Sequence, residues 1–251
     1  QPCSSAASDV YKRQVMASEQ LWVVAACFNE SRVITQFMER VLAQPEANHL
    51  LLIDDGSSDA TVAEVRAWQR SHRGAPVTLL ELTRNFGKEA AMLAGLDYAN
   101  GRCAAAVLID SDLQQPPERI PAMVQAWRNG AEVVTAVRDD RDADGLVKVA
   151  TASWFYRVFN RLVDSIQLQE GAGDFRLLSA PVVEAVTQLR EATRFSKGLM
   201  PWTGYRSEEI DYSRVARVGG STSWSFLKLW RYALDGIFSF TVKPLKVWGV
   251  I

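Results

Sequence analysis

Short apolar runs alternate with segments of helical periodicity up to residue 137. The runs have the length and continuity of buried strands and span 21–27, 50–53, 77–82, 104–109 and 132–137. The segments between them carry apolar residues three and four positions apart, a spacing typical of amphipathic helices. Because strands and helices alternate with short connections, we expect an α/β fold with a mostly parallel sheet and helices on both faces.

Polar clusters follow four of these predicted strands. They are Phe28–Ser31, Asp54–Asp59, Arg84–Lys88 and Asp110–Glu118. The carboxyl ends of parallel strands meet at one edge of a sheet, and ligands of open α/β proteins bind there. We therefore expect the four clusters to surround a single ligand site.

The cluster DSDLQQPPE places Asp110 and Asp112 two residues apart. In an extended chain both side chains point the same way, and two close carboxylates repel each other unless a cation lies between them. Mg²⁺ is held in proteins by one or two carboxylates together with substrate phosphates, and Gln114 offers a further oxygen. A turn with helix-capping acids explains the same spacing, and it is the simpler explanation for this pair taken alone.

The clusters after the second and third predicted strands suit a nucleotide. Asp54 and Asp55 can accept hydrogen bonds from a ribose or a base, whereas Ser58 and Asp59 are typical of a helix N-cap. Lys88 stands near a predicted helix start, where a diphosphate binds favourably. A solvated surface charge is the simpler explanation for a single lysine.

The pattern changes after residue 145, where aromatic and mainly helical segments replace the alternation. The glycine-rich stretch Gly171–Phe175 is predicted to be a loop. Residues 226–240 combine aromatic and basic side chains, which fits a helix on a membrane surface or an ordinary amphipathic surface helix.

Composition removes several function classes. The 28 basic and 29 acidic residues nearly balance, which argues against nucleic-acid binding. Cys3, Cys27 and Cys103 have no paired spacing, so we expect a reducing compartment and neither a disulfide framework nor a zinc site. The first strand is not followed by a glycine-rich turn, which disfavours a nicotinamide dehydrogenase.

The two ends of the chain differ from the rest. Residues 1–15 are polar and aperiodic, and we expect them to be a non-native extension that precedes a catalytic domain over 16–222. In 223–251 we expect juxtamembrane helices and the start of a truncated transmembrane segment. A final core strand is the alternative, because the last apolar run is shorter than the roughly 20 residues that span a bilayer.

Nine short motifs along the chain occur in the order that is typical of one family. They are FNE (28–30), DDGSSD (54–59), RNFGKEAA (84–91), DSDLQQPPE (110–118), GDFRLL (173–178), RFSKG (194–198) and the C-terminal GSTSWSF, LDGIFSF and PL. From Leu21 onward the chain resembles the glycosyltransferase family 2 enzymes that load polyprenyl phosphates. The resemblance is to the bacterial O-antigen glucosylation type, which is related to the dolichyl-phosphate mannose synthases.

The resemblance implies a GT-A (Rossmann-like) fold with C-terminal amphipathic helices on a membrane surface. It implies Mg²⁺ or Mn²⁺ as cofactor and an inverting transfer of a hexose from a nucleotide sugar to a polyprenyl phosphate. The expected donor is UDP-glucose, and the alternative is GDP-mannose. The implied location is the cytoplasmic face of the bacterial inner membrane, and a homo-oligomer is compatible with this assignment.

The resemblance also assigns roles to individual residues. The nucleotide-binding set is Phe28, Glu30, Asp54, Asp55, Lys88, Asp110 and Arg138. The metal ligands are Asp110, Asp112 and Gln114, and the catalytic residues are Asp112, Asp174 and Arg217. The acceptor phosphate is assigned to Arg141, Arg194, Lys197 and Arg214.

Three positions depart from the family pattern. Ala26 replaces the usual proline, Gln115 replaces a usual acid, and Ser223 replaces a common lysine. The sequence offers no physical account of Gln115.

Two other functions compete with this interpretation. A phosphotransferase of the haloacid-dehalogenase type would use Asp110 as nucleophile and would have Thr or Val soon after Asp112, where the chain has Leu113–Pro116 instead. A non-catalytic membrane-associated binding protein would tolerate the loss of both aspartates.

Overall fold

The computed structural model describes residues 20–138, 157, 159–161, 163, 166, 172–191, 194–213, 234, 236–241, 243 and 249. Its centre is one seven-stranded sheet. The strands are β1 (Leu21–Cys27), β2 (Ala47–Asp54), β3 (Val77–Glu81), β4 (Ala105–Leu108), β5 (Val133–Arg138), β6 (Ala172–Ser179) and β7 (Ser207–Tyr212).

The sheet is parallel except at one strand. The strand order is β3-β2-β1-β4-β6-β5-β7, and β6 runs antiparallel to both of its neighbours, β4 and β5. The remaining neighbours pair in parallel. The predicted mostly parallel sheet is therefore confirmed, with its first five strands displaced by only a few residues at their ends.

The predicted loop Gly171–Phe175 is wrong over most of its length, because β6 begins at Ala172. Glycines made this stretch look like a turn. Pairing with β4 on one side and β5 on the other supplies the backbone hydrogen bonds that hold it extended. The polar edge strand β7 was not predicted from the sequence at all.

Helices cover both faces of the sheet. They are α1 (Ile34–Leu42), α2 (Thr61–Ser71), α3 (Lys88–Ala99), α4 (Ile120–Arg128), α5 (Ala180–Gln188) and α6 (Ser196–Trp202), with a 3₁₀ turn at Pro117–Arg119. One core lies between the sheet and α1, α2 and α4, and the other lies between the sheet and α3 and α5. Alternate residues of β1 enter the two cores, as the two-residue period of a strand requires.

Close approach of α3 to the sheet depends on Gly95. A Cβ atom there would lie 2.5 Å from Val24 Cγ1 and 2.6 Å from Ile53 Cδ1, so a larger residue would push the helix off β1 and β2. This packing matters for function, because α3 begins with Lys88.

A third, smaller apolar cluster joins distant parts of the chain. Phe159 packs with Phe195, and Ile237 belongs to the same cluster. A Cβ on Gly198 would lie 2.5 Å from the ring of Phe240, so residues 236–240 lie directly against α6. These residues are helical, and one of them, Phe238, is 44% exposed.

Within the described residues, none of the helices is long and apolar enough to cross a membrane. Most of 223–251 lies outside the described residues. The boundaries of the expected domains, and the expected juxtamembrane helices, stay predictions.

Candidate active site

The antiparallel direction of β6 brings two distant aspartates together. Leu108 of β4 pairs with Arg176 of β6, so the start of β6 runs alongside the residues that follow β4. Asp174 therefore lies at the sheet edge where the parallel strands end, next to Asp110. These two carboxylates are 64 positions apart in sequence and share one cation.

That cation is the ammonium of Lys88, at the first position of α3. Its Nζ lies 2.6 Å from Asp110 Oδ1 and 2.6 Å from Asp174 Oδ2. The Lys88 side chain remains 39% exposed, and the two carboxylate side chains are 28% and 29% exposed. The bridge is accordingly open to a ligand arriving from solvent.

The bridge controls the ionisation of its members. Burial disfavours a charged lysine, but the carboxylates of Asp110 and Asp174 outweigh it and raise the pKa of Lys88. Burial likewise opposes ionisation of Asp174, and the charges of Lys88 and Lys197 overcome it and lower the pKa of Asp174. Burial raises the pKa of Asp110, against the opposing effect of Lys88.

The loop after β4 is fastened at several points. The backbone N–H of Asp110 donates to Gln115 Oε1 at 2.8 Å, and Gln115 Nε2 donates to Asp110 Oδ2 at 3.0 Å. Ser111 Oγ donates to the carbonyl of Ala26 at 3.0 Å, which ties the loop to β1. Leu113 is fully buried with a positive φ of 61°, an uncommon conformation for a leucine. The unexplained Gln115 is thus part of the support of Asp110.

Asp112 and Gln114 lie in the same loop. The backbone N–H of Gln114 donates to Asp112 Oδ1 at 3.0 Å, which closes a small turn around the Asp112 carboxylate. The turn expected as the simpler explanation is therefore present, and it places a second acid beside Asp110.

The loop after β2 is held by backbone donors of the next loop. Both oxygens of the buried Asp55 accept hydrogen bonds, from Phe86 N at 2.7 Å and from Gly87 N at 2.9 Å. Gly56 has a φ of +72°, and a Cβ there would lie 2.5 Å from the backbone of Arg84. Asp55 thereby fixes the peptide that leads into Lys88.

Asp54 is also turned inward. It is 3% exposed, and its Oδ2 accepts a hydrogen bond from Ser57 N at 3.0 Å. Neither Ser58 nor Asp59 is the N-cap that the sequence predicted, because the helix begins at Thr61 with Ala60 at its N-cap and no side-chain cap hydrogen bond. The Asp59 carboxylate instead accepts hydrogen bonds from Ser31 N and Thr61 N, which joins the first loop to the start of α2.

The loop after β1 presents one aromatic ring. Phe28 is 44% exposed, and its neighbour Asn29 has a positive φ of 58°. Asn29 Oδ1 accepts a hydrogen bond from Ser58 N at 2.8 Å, and the N–H of Glu30 donates to Thr61 Oγ1 at 2.8 Å. The first and second loops are therefore joined, with the Phe28 ring beside them.

Of the residues assigned to the acceptor phosphate, the structure describes Arg194 and Lys197, which have different surroundings. Lys197 lies on α6, close enough to Asp174 for its charge to lower the pKa of that carboxyl. The Arg194 side chain is only 5% exposed, and its guanidinium donates to the carbonyls of Leu189 at 2.8 Å and Val186 at 3.2 Å. Arg194 thus satisfies the end of α5, a structural task, and its assignment to phosphate stays a prediction.

A small cavity of about 20 Å³ lies beside the bridge. Its wall includes Lys88, Asp174 and Arg176 together with the apolar side chains of Met92, Leu108 and Met200. Glu89 and Ser196 also line it, and Ser196 Oγ donates to Glu89 Oε2, which links the start of α3 to the start of α6. Neither Arg176 nor Glu89 was singled out from the sequence, although a charged residue inside the apolar run of GDFRLL was a usable signal.

The donor set after β4 fits a hard divalent cation that is shared with phosphates. In the part of the chain that the structure describes, no group of three or more His, Cys, Asp or Glu side chains could hold a metal ion. Asp110, Asp112 and Gln114 supply two carboxylates and an amide oxygen. Mg²⁺ and Mn²⁺ sites of this kind are completed by substrate oxygens.

Other assigned residues lie farther away or outside the description. Arg138 ends β5, which is separated from β4 by β6. Arg141, Arg214 and Arg217 lie outside the described residues, so their roles stay predictions.

Residues 22–187 match the sequence model of Glycosyl transferase family 2. The chain belongs to this family. The interpretation drawn from the nine motifs is confirmed, and the protein is a glycosyltransferase.

This glycosyltransferase is similar to curated relatives over most of its length. It is 41% identical over 233 residues to the bactoprenol glucosyl transferase of Shigella phage SfV, covering 91% of this chain and 74% of the relative. It is 40% identical to the prophage bactoprenol glucosyl transferase homolog of Escherichia coli K12, with the same coverage. An uncharacterized glycosyltransferase of Synechocystis is 41% identical, over 91% of this chain and 72% of its own.

Solved structures share the fold of this glycosyltransferase. A mannosyltransferase from Pyrobaculum calidifontis, in complex with GDP-Man and Mn²⁺, superposes with a TM-score of 0.55 at 18% identity and covers 86% of this chain and 65% of its own. Glucosyl-3-phosphoglycerate synthase from Mycobacterium tuberculosis, in complex with Mn²⁺ and UDP-glucose, gives 0.57 at 14% identity, over 95% and 84%. The expected GT-A fold is confirmed.

Proposed function

We propose that this glycosyltransferase carries out the metal-dependent, inverting transfer of a hexose, with glucose from UDP-glucose as the expected case, to a polyprenyl phosphate. The observation that carries the proposal is the meeting of Lys88, Asp110 and Asp174 at the edge where the parallel strands end. The names of the relatives that are about 40% identical supply the acceptor class.

The nucleotide half of the site is proposed along the first three loops. The exposed ring of Phe28 is suited to pack on a base, and Glu30 and the buried Asp54 lie in the adjoining loops. Asp55 contributes by holding the backbone before Lys88, as its two hydrogen bonds indicate. Lys88 would then face the diphosphate. Arg138, at the end of β5, is included in the nucleotide site on the basis of the family resemblance.

The metal half is proposed on the loop after β4. Asp110, Asp112 and Gln114 would hold Mg²⁺ or Mn²⁺, which when bound neutralises the charge that develops on the departing nucleoside diphosphate. Lys88 adds a positive charge beside Asp110, so this chain has its own cation at the leaving-group side.

The acceptor needs positioning more than activation. The second pKa of a phosphate monoester is about 6, so its oxygen is already anionic at neutral pH. Lys197, close to Asp174, is the described candidate for holding it, together with the predicted Arg141, Arg194, Arg214 and Arg217. A single in-line displacement by that oxygen inverts the anomeric centre.

The state of Asp174 bears on its role. Because Lys88 and Lys197 hold the pKa of Asp174 below its usual range, this carboxylate is a weak proton acceptor. We propose that it orients a sugar hydroxyl or the acceptor phosphate through the bridge with Lys88, and that the reaction proceeds without a general base.

A polyprenyl phosphate acceptor and the names of the relatives support a location at a membrane, and we propose the cytoplasmic face of the bacterial inner membrane. Residues 223–251, as juxtamembrane helices, would lie on that surface next to α6. The proposed domain limits remain 1–15, 16–222 and 223–251.

One experiment separates the candidate functions. The protein is incubated with UDP-glucose or GDP-mannose, with Mn²⁺ or Mg²⁺, and with a short-chain polyprenyl phosphate, and the lipid product is detected by mass spectrometry. A glucosylated lipid that disappears with chelator is expected. Product only from GDP-mannose would favour the mannose alternative. A trapped phospho-aspartate without lipid product would favour a phosphotransferase.

A further inference from the structure

Gln115 makes a two-point contact with Asp110 that neither the family motif nor the proposed metal set explains. Its amide oxygen accepts the Asp110 backbone N–H at 2.8 Å, and its amide nitrogen donates to Asp110 Oδ2 at 3.0 Å. The side chain is 6% exposed. A buried amide with both ends committed to one residue has a defined task.

The contact fixes the direction of the Asp110 carboxylate. Rotation about the last bond of an aspartate is otherwise soft. Oδ2 is held by Gln115, and Oδ1 is held by Lys88 at 2.6 Å. Gln115 is buried while Lys88 is 39% exposed, so the lysine can turn to a ligand and the amide still holds its oxygen.

A side-chain amide can make both contacts at once without taking up a proton. It offers an acceptor to the backbone N–H and a neutral donor to the carboxylate. An ionised acid at this position would still accept the N–H, but its second oxygen would face Asp110 Oδ2 and repel it. The departure from the usual acid thus replaces a repulsive contact by an attractive one.

The loop around Gln115 is itself held in place, so no other side chain can easily take over the contacts of Gln115 with Asp110. Ser111 is tied to Ala26, and Leu113 is fully buried in a left-handed conformation. We propose that Gln115 is a positioning residue that orients the Asp110 carboxylate toward the metal-bound diphosphate. This inference rests on the proposed function.

The test uses Gln115→Met, which keeps the length of the side chain and removes both hydrogen bonds. Isothermal titration calorimetry measures UDP binding in Mn²⁺ and in chelator. Mn²⁺-dependent binding should weaken about tenfold, the loss expected for a hydrogen bond to a charged group, while binding in chelator stays unchanged. In transfer assays the Mn²⁺ concentration for half-maximal rate should rise by the same factor, with little change in kcat at saturating Mn²⁺.

Thr187→Val is the matched control. Thr187 is 2% exposed, and its Oγ1 donates to Glu184 O and accepts from Asn100 Nδ2 at the opposite end of α3 from Lys88. This variant also loses buried hydrogen bonds but should keep wild-type Mn²⁺ dependence. Equal weakening in both variants would reduce Gln115 to a general stabilising role and overturn the inference.

A milder variant covers the case in which Gln115→Met does not fold. Gln115→Asn keeps the amide but is too short to reach both Asp110 groups, so a loss of about threefold or more in Mn²⁺ dependence is expected. Wild-type Mn²⁺ dependence in this folded variant would overturn the inference. Absence of any metal-dependent nucleotide binding in the wild type is a different result, because it refutes the proposed function before variants are compared.

Discussion

Asp55 follows β2 and Asp110 follows β4, and both lie in loops of the same site. Their carboxylates are held by different kinds of group. Asp55 accepts both of its hydrogen bonds from backbone N–H groups of Phe86 and Gly87. Asp110 is held by the side chains of Lys88 and Gln115. Backbone donors cannot leave without moving the chain, whereas a lysine can turn to a ligand. We therefore call Asp55 a scaffold carboxylate, because its task is to hold the backbone. Lys88 is the exchangeable partner of Asp110, because a ligand can take its place.

Replacing each aspartate in turn gives the largest expected contrast. Asp110→Asn should lower metal-dependent transfer by at least about 100-fold with an almost unchanged unfolding midpoint, because a metal ligand is lost from a folded site. Initial rates against Mn²⁺ concentration, with circular dichroism as the check on folding, measure this. Near wild-type transfer by Asp110→Asn would break the distinction between the two residues.

Asp55→Asn should act mainly on stability. Asparagine can accept from only one of the two N–H groups and turns a donor toward the other, so unfolding in urea should show a loss of about 2 kcal/mol. The control is Asp97→Asn, which breaks an exposed ion pair with Arg190 and should cost clearly less than Asp55→Asn, because surface ion pairs contribute little to stability. Equal losses in the two variants would contradict the scaffold role.

Lys88→Met tests the exchangeable partner through pH. Of the charges that lower the pKa of Asp174, Lys88 has the largest effect. The stability contributed by ionised Asp174 is therefore present above the unfolded-state pKa of about 3.9 and is lost as the pH falls towards the lower folded-state pKa. The variant should be about 1 kcal/mol less stable at pH 7, with the deficit shrinking below about pH 4. Urea unfolding at several pH values measures it, and a deficit independent of pH would count against the bridge. Arg66→Met, which removes an exposed partner of Glu81, is the surface control.

Glu89 is held by one backbone donor and one side-chain donor, so it lies between Asp55 and Asp110. We expect its substitution to give the smallest effect. It accepts from both the backbone N–H and the hydroxyl of Ser196, and burial raises the pKa of Glu89. Its contribution to stability is therefore present below about pH 4.3 and is lost as the pH rises through the folded pKa. Urea unfolding measures the free energy of unfolding of Glu89→Gln and of wild type at both pH values. The variant should gain stability relative to wild type between pH 4 and pH 8, by less than about 1 kcal/mol.

Glu118→Gln supplies a control of opposite sign. A hydrogen bond from Arg40 lowers the pKa of Glu118, so this substitution should cost more at pH 8 than at pH 4. The same pH trend in both variants would show that the Glu89 effect does not come from its burial.

The sequence was sufficient for the strands that read as continuous apolar runs. β1 was predicted to the residue, and the helix stripe through Ile34 and Phe37 lies in the core as expected. The sequence was insufficient for β6 and β7, because their glycines and charged residues are not typical of strands. Both strands form by pairing with strands far along the chain. Local propensity cannot report a partner strand.

Sequence alone determined that polar clusters follow the strands, that Asp110 and Asp112 stand together, and that the chain resembles one family of transferases. These features follow from the order of residues along the chain and from the likeness of its motifs to those of a known family. Tertiary structure alone decided that Asp174 meets Asp110 through an antiparallel strand, that Asp55 supports a backbone, and that Gln115 holds a carboxylate. Each of these is a contact in space, fixed by packing and by the need of buried polar groups for partners.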